Sequence, residues 1–273
     1  MNKIFIRDAG VIDSKTNKKY FTKSEFFKRL DNAIYLANKN SIGLQLTINK
    51  NFFLKHIIFF FKKLKDLKKL NGITIHLFAP YHSLISSKKE TSNFIKLLNK
   101  FTKTLSNIKG YCIHPDNVSN YLFLKELKIK RRYVAIEVCD LKSKCGNNVA
   151  EIREILKKNK FLDLVLDSSH IQAIREKFSN EFTVQQYFNE FQKRIVEIQI
   201  SSNTNEYRNN IFTKNFKTDH SLLSLSRDPK IYNALIKIKD LKKINLVIEG
   251  IVPFNLYGLS LLKKEIDLLN SFQ

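Results

Sequence analysis

The chain has 273 residues, of which 43% are hydrophobic, so it can bury a sizeable core and its length suits one domain better than two. Its formal net charge of +23 accompanies abundant lysine and scarce glycine, a usage typical of AT-rich coding, and fits solvated helix faces about as well as a polyanionic partner. The three cysteines, Cys112, Cys139 and Cys145, form no CxxC pair and indicate neither a disulfide framework nor a thiolate zinc site.

Short apolar runs rich in β-branched residues alternate along the chain with longer stretches of helical periodicity. The predicted strands are Ile4–Arg7, Ile42–Ile48, Gly72–Phe78, Gly110–His114, Tyr133–Cys139, Leu162–Asp167, Ile195–Ser201 and Ile244–Ile251. The predicted helices are Ser24–Asn38, Phe52–Leu70, Thr91–Leu105, Val118–Leu127, Val149–Lys158, Asp228–Lys239 and Leu256–Leu269. Alternation of strands with helices predicts a parallel sheet.

Eight strands in a chain of this length favour a single-domain (β/α)8 TIM barrel over residues 1–273, with an open doubly wound sheet as the alternative. The sequence contains neither GxGxxG nor GxxxxGK[ST], the motifs that support a nucleotide-binding open sheet. Residues 202–227, after the seventh predicted strand, are too many for a short βα loop. Long loops at that end of a barrel are usually functional.

The apolar segments do not resemble targeting or membrane-spanning sequences. Arg7 and Asp8 interrupt the first apolar run, and Lys55 and His56 interrupt the most apolar stretch, Phe52–Phe61. Together with the cysteine pattern, this predicts a cytoplasmic protein with no membrane partner.

Catalytic side chains of TIM barrels come from the carboxyl ends of several strands. Polar residues stand at or just after the ends of the predicted strands three to eight: His76, His114, Glu137, Asp167 and His170, Asp219 and His220 in the long loop, and Glu249. By contrast, His56 lies within a helical segment and His82 lies past Pro80 in a loop, so we predict that both are structural or surface residues.

Three of these residues, Glu137, Asp167 and Glu249, are carboxylates in or just after strongly apolar runs, where an unpaired charge is costly to bury. Lysine is rare inside the strands, so a metal ion is the simpler source of positive charge. Imidazoles beside carboxylates suit zinc, manganese or iron. A lone histidine such as His76 is more often a hydrogen-bonded core residue, but recurrence at six strand ends or loops favours a metal site.

The order of these residues resembles that of the xylose-isomerase-like TIM barrels, a superfamily that includes sugar isomerases, epimerases and the endonuclease IV type of apurinic-site endonuclease. The resemblance covers nearly the whole chain and includes the DxxH spacing of Asp167 and His170. It implies a divalent metal, zinc foremost and otherwise manganese, iron or magnesium. The ligand sets implied by endonuclease IV are His76, His114 and Glu137 for a first metal, Glu137, Asp167, Glu249 and a strand-seven residue for a second, and His170, Asp219 and His220 for a third.

Two departures from the family pattern concern the second and third metals. Strand seven reads IVEIQISSN, so Gln199, or alternatively Glu197, stands where the family presents a histidine, and glutamine is a weaker ligand. The segment DHSLLSLSRDP lacks the glycine-rich turn that normally follows the loop histidine.

The resemblance implies three functions. An endonuclease IV-like phosphodiester hydrolase acting on nucleic acid at abasic sites would use the extra histidines for several metals. Arg208, Lys214 and Lys217 of the long loop would then contact phosphates. A sugar or sugar-phosphate isomerase or epimerase would need one metal, with Glu137 and Glu249 as acid and base. The third is a degenerate barrel without catalysis, suggested by Gln199 and the missing glycine turn.

Overall fold

Eight parallel strands close into a barrel in the computed structural model, which describes residues 3–12, 23–78, 88–118, 120–128, 131–139, 143–179, 181–202, 221–226, 228–238 and 241–272. The barrel strands are β1 (Lys3–Arg7), β2 (Gly43–Asn49), β3 (Ile73–Phe78), β4 (Ile108–Ile113), β5 (Tyr133–Glu137), β6 (Asp163–Asp167), β7 (Ile195–Ile200) and β8 (Asn245–Ile248). They pair in chain order, and β8 pairs with β1. The predicted barrel is confirmed, and the open sheet is wrong.

The helices of the described residues are α1 (Lys23–Lys39), α2 (Lys50–Lys55), α3 (Ile57–Lys62), α4 (Leu64–Leu67), α5 (Lys88–Lys103), α6 (Val149–Lys158), α7 (Ser168–Lys177), α8 (Val184–Phe191), α9 (Leu223–Ser226), α10 (Pro229–Ile236) and α11 (Leu256–Ser271). Short 3-10 helices span Asp8–Gly10, Pro115–Asn117, Tyr121–Leu127 and Leu241–Lys243. Outside the barrel, Val11–Ile12 pairs with Val252–Pro253. None of the helices described is both long and apolar enough to cross a membrane.

Two predicted helices differ from the structure, and several of its helices were not predicted. The segment Phe52–Leu70 is divided among α2, α3 and α4. The break between α2 and α3 falls at His56, whose backbone (φ −123°, ψ 26°) leaves the helical region. The predicted α-helix Val118–Leu127 is wrong: the chain forms the 3-10 helix Tyr121–Leu127, whose first turn is capped by the side chain of Asn120. Helices α7 and α8 were not predicted, although the Thr183-x-x-Gln186 capping box is a recognisable start signal for α8.

The core has two parts, because strand side chains alternate between the helices and the barrel interior. The larger cluster joins strand residues such as Ile6 and Leu46 with helix residues such as Leu30. A smaller cluster contains Cys112, Ala135 and Val165 and is filled out by polar side chains of the barrel interior. The carboxyl ends of the strands lie directly above this polar interior, and the functional candidates stand there.

Candidate metal centre

Three imidazoles surround the carboxylate of Glu137 at the end of β5. The Nε2 atom of His76, from β3, lies 3.4 Å from Oε2 of Glu137. The Nε2 atom of His114, just after β4, lies 3.3 Å from Oε1, and Nδ1 of His170, in the first turn of α7, lies 3.6 Å from the same oxygen. Strand ends that are far apart in sequence therefore place these side chains together, as the barrel topology requires.

The ligating atoms form two groups that share Glu137. One group is His76, His114 and Glu137, and the other is Glu137, Asp167 and His170; within each group the ligating atoms lie within 4.8 Å of one another. Five of the predicted ligands are thus close enough to bind metal through nitrogen and oxygen, and Glu137 is positioned to serve both groups.

The charges of these groups follow from burial and from one another. Burial lowers the pKa of His76 well below its ordinary value, and the charge of Arg7 lowers it further, so this imidazole is neutral, as a metal ligand must be. Burial alone would raise the pKa of Glu137, but His114 and His76 hold it well below its usual range. Burial opposes protonation of His114, yet Glu137 and Cys139 raise its pKa well above the ordinary value.

Several buried polar atoms at this site make no hydrogen bond. They are both ring nitrogens of His76, Oε1 of Glu137, Oδ2 of Asp167 and Oε1 of Gln199, all on residues with no solvent exposure. A buried polar atom left unsatisfied is costly, and such groups rarely cluster without a reason. One or two cations among them would satisfy nitrogen and oxygen atoms together, so the residues present fit a divalent metal.

Asp167 has a structural role that also orients its metal-facing oxygen. Its Oδ1 atom accepts hydrogen bonds from the backbone amides of Ser169 (2.8 Å) and His170 (3.0 Å) and from the Ser169 hydroxyl (2.7 Å), which caps the start of α7. Its Oδ2 atom lies 3.4 Å from Nδ1 of His170. The same Nδ1 lies 3.1 Å from the carbonyl oxygen of Val138.

Gln199, on β7, contacts Glu137 through its amide nitrogen. This Nε2 atom donates to Oε2 of Glu137 (3.2 Å) and to Oε1 of Glu197 (3.3 Å). The ionised carboxylate of Glu137 can accept a hydrogen bond but cannot donate one, which orients the amide and leaves its Oε1 atom as the possible ligand. The thiol of Cys112, which the sequence analysis did not single out, also lies 3.0 Å from Oε2 of Glu137.

Glu197 belongs to a separate polar layer deeper in the barrel. Its carboxylate accepts hydrogen bonds from Gln45 Nε2 and Tyr133 Oη, each at 2.7 Å, and Asn245 donates to the same tyrosine oxygen at 3.2 Å. The Tyr133 ring lies over Gly110, where a Cβ atom would be 2.3 Å from the ring. Burial raises the pKa of Glu197 to about 7 despite these donors. Glu197 is in neither metal-binding group.

Glu249 lies at the same end of the barrel but pairs with Arg7 at the end of β1. It is in neither ligand group. The counter-charge of Glu249 is therefore an arginine, whereas the rarity of lysine inside the strands predicts a metal ion. The sequence could have indicated this pair, because Arg7 ends the segment IFIR and closure of the barrel places β1 beside β8.

The remaining predicted residues divide into two sets. Those in the long loop lie within residues 203–220, outside the described residues: Arg208, Lys214, Lys217, Asp219 and His220. His82 also lies outside them. His56 stands between α2 and α3, away from the strand ends, and its ring contacts Phe27 and Phe52.

Comparison with solved structures assigns the fold. The probable 3-DHS dehydratase AsbF of Bacillus anthracis aligns over 99% of both chains with a TM-score of 0.58 and 13% identity. A xylose isomerase domain protein of Alicyclobacillus acidocaldarius aligns over 98% of this chain and 99% of its own, with a TM-score of 0.55 and 10% identity. These similarities show a shared eight-stranded barrel fold.

A fusion protein of a xylose isomerase-like TIM barrel and 4-hydroxyphenylpyruvate dioxygenase has a TM-score of 0.65 and 9% identity. The alignment covers 99% of this chain and 43% of the fusion protein. No protein-family model matches the sequence, and no curated protein matches it. The predicted resemblance in fold is therefore confirmed by structures, while the activity rests on the site.

Proposed function

We propose that this protein is a divalent-metal-dependent phosphodiester hydrolase of the endonuclease IV type, acting on nucleic acid at abasic sites. The observation that carries the proposal is the position of Glu137, whose carboxylate belongs to both ligand groups. A carboxylate shared between two ligand sets is the arrangement that holds two metal ions close together. Such a pair suits phosphodiester hydrolysis, in which charge develops on both the attacking and the leaving oxygen.

The residues around Glu137 would hold the metals in defined positions. His76 and His114 would complete the first group, and Asp167 and His170 the second, with the amide oxygen of Gln199 as a further ligand. When bound, divalent metal polarises the phosphate, supplies hydroxide near neutral pH and stabilises the leaving oxygen. The three hydrogen bonds to Oδ1 of Asp167 keep its other oxygen directed at the site through the reaction.

The proposed nucleic-acid partner is supported by the net charge of +23. Arg208, Lys214 and Lys217 remain the proposed phosphate contacts, and Asp219 and His220 remain proposed metal ligands alongside His170. Contacts of this kind would position the nucleic-acid backbone and would not read the base sequence. Nucleic-acid binding should therefore weaken steeply as the salt concentration is raised.

A metal-dependent isomerase, epimerase or dehydratase acting on a small sugar or sugar-like acid is the second candidate. Two observations favour it: Gln199 replaces a histidine ligand, and Arg7 neutralises Glu249, so one metal held by Glu137, Asp167 and Gln199 would suffice. The solved structures described above as a probable 3-DHS dehydratase and a xylose isomerase domain protein have this fold.

The two functions can be separated by metal content and cleavage measured on the same preparation. The full-length protein is stripped with chelator, reloaded with zinc or manganese, and mixed with a duplex containing one abasic site over a range of salt concentrations. We expect metal-dependent cleavage at that site and at least two metals per chain. A matched control is Glu154→Gln, which removes an exposed carboxylate on α6.

Two other outcomes of this experiment would contradict the hydrolase. One metal per chain without cleavage, together with isomerisation or dehydration of a sugar or sugar-acid panel, would favour the second candidate. A folded protein that binds no divalent metal would indicate the non-catalytic barrel and would contradict both enzymes.

A further inference from the structure

A third cluster of metal-ligating side chains lies beside the Glu137 groups. It consists of His114, Asp116 and Cys139, whose ligating atoms lie within 4.8 Å of one another. His114 and Asp116 flank Pro115 in the turn after β4, and Cys139 stands two residues after the end of β5. Only His114 belongs to the centre described above.

We propose that His114, Asp116 and Cys139 form a further zinc site, in which the Cys139 thiolate, the Asp116 carboxylate and Nδ1 of His114 are ligands, because Nε2 of His114 is the nitrogen that faces Glu137. The proposal does not depend on the hydrolase activity. Sequence spacing gave no sign of it, because the thiol is not part of a CxxC pair and its partners come from a different strand.

The backbone around the cluster holds the three ligands on ordered turns. The amide of Asn117 donates to the carbonyl of His114 at 3.1 Å, and the amide of Cys139 donates to the carbonyl of Gly146 at 2.9 Å. Gly146 has φ +80°, and a Cβ atom there would lie 2.6 Å from the Pro115 ring. The loop after β5 therefore packs directly on the turn after β4, which brings the thiol to its partners.

The ligand types suit zinc. Zinc accepts thiolate, imidazole and carboxylate at about 2.0 to 2.3 Å in tetrahedral sites, so the three ligand atoms would need to approach one another by only about 1 Å. A water molecule would provide the fourth ligand.

Zinc binding at this cluster displaces protons. Burial raises the pKa of the Cys139 thiol, and the hydrogen bond and charge of His114 only partly oppose this, so the thiol is protonated in the metal-free protein. The bond to zinc forms as the S–H bond breaks, and that proton leaves to solvent. His114, whose pKa Glu137 and Cys139 raise, also releases the proton of its zinc-binding nitrogen to solvent. The alternative is a thiol–imidazole hydrogen bond with no metal affinity.

Cobalt(II) titration of the full-length, metal-free protein tests the proposal, because a Co–thiolate bond gives a sulfur-to-metal charge-transfer absorption in the near ultraviolet. We expect this band in the wild type, its loss in Cys139→Ser, and Co²⁺ binding at this band weakened by more than about tenfold in Asp116→Ala. The matched control is Cys112→Ser, which removes the buried thiol beside Glu137 and should leave the band intact. Far-ultraviolet circular dichroism checks that each variant folds.

Two results would overturn the proposal: no charge-transfer band in the wild type, or a band lost in Cys112→Ser and retained in Cys139→Ser. Cadmium-113 NMR of the wild type gives a second measurement that needs no variant, since a thiolate ligand moves the resonance strongly downfield. Glu137→Gln separates this site from the proposed function, because it should remove metal from the Glu137 groups while the Cys139 band persists.

Discussion

Glu137 and Glu197 are two fully buried carboxylates inside one barrel, joined through the amide of Gln199, and they differ in charge. Three imidazoles face Glu137, and its pKa is held well below the ordinary value. A phenol hydroxyl and two amides face Glu197, and burial raises its pKa to about 7. Neutral hydrogen bonds therefore do not offset the desolvation of a carboxylate here, whereas groups that can carry positive charge do.

This difference in charge suits Glu137 to metal binding and Glu197 to supporting its neighbours by hydrogen bonds. Glu137 is ionised and has an oxygen that makes no hydrogen bond, so it can bind a cation. Glu197 has donors on both oxygens and orients the amide of Gln199. Changes at Glu137 should therefore act on metal and activity, and changes around Glu197 should act first on stability.

The largest expected effect is that of Glu137→Gln. The amide loses the negative charge that both ligand groups share, so we expect the metal content of these groups to fall below one per chain and metal-dependent cleavage to fall on the order of a thousandfold or more. Elemental analysis in a Cys139→Ser background, which lacks the other proposed zinc site, and initial rates measure the two losses. An equal loss of metal in Glu197→Gln would contradict the assignment of metal binding to Glu137 alone of these two carboxylates.

The pH dependence of stability should report Glu197 in the metal-free protein. Its folded pKa of about 7 lies above the ordinary 4.5, so between these values the folded state holds a proton that the unfolded state has lost. The contribution of Glu197 to the free energy of unfolding should fall by about 3 kcal/mol as pH rises from 4.5 to about 8. The buried His76, whose pKa is lowered, contributes in the opposite direction, so the difference between the wild type and Glu197→Gln isolates the effect of Glu197. Urea unfolding in chelator measures it. The corresponding slope should be absent from Glu197→Gln.

Tyr133→Phe should destabilise the protein without removing metal. The change deletes the 2.7 Å hydrogen bond to Glu197 and leaves Asn245 without the oxygen to which it donates. We expect a loss of about 1 to 3 kcal/mol at pH 7 in urea unfolding. Metal content equal to that of the wild type would support the division between ligand and support, and a parallel loss of metal would contradict it.

The smallest expected effect is that of Arg7→Gln. Removing this cation ends the pairing with Glu249 and takes away a charge that disfavours a nearby metal ion, so the metal dissociation constant should fall by roughly three- to tenfold. Competition with a chromophoric chelator measures the change. Lys3→Gln, at the exposed start of the same strand, should leave metal affinity unaltered.

Periodicity and strand-end chemistry predicted much of this protein. The eight strands follow from apolar runs, and a barrel then requires His76, His114 and Glu137 to meet, because the carboxyl ends of its strands share one face. Asp167 and His170 were found in the same way. These predictions needed only strand order and not side-chain detail.

The predictions that failed or were missing depend on contacts between distant elements. Arg7 reaches Glu249 only because β1 and β8 pair, and Cys139 reaches His114 only because Gly146 allows one loop to pack on Pro115. The choice between Gln199 and Glu197 depended on which hydrogen-bond donors each side chain meets inside the barrel. No spacing rule along the chain contains that information.

The ion pair between Arg7 and Glu249 has a consequence for how the protein is made. It joins the ends of two strands whose paired residues include Lys3 and Asn245, near opposite ends of the described chain. During synthesis β1 must therefore wait, with one edge unpaired, until β8 has been translated, and contacts of such long sequence separation form slowly. We expect nascent chains that stop before β8 to require chaperones, and the metal centre to be completed after the barrel closes.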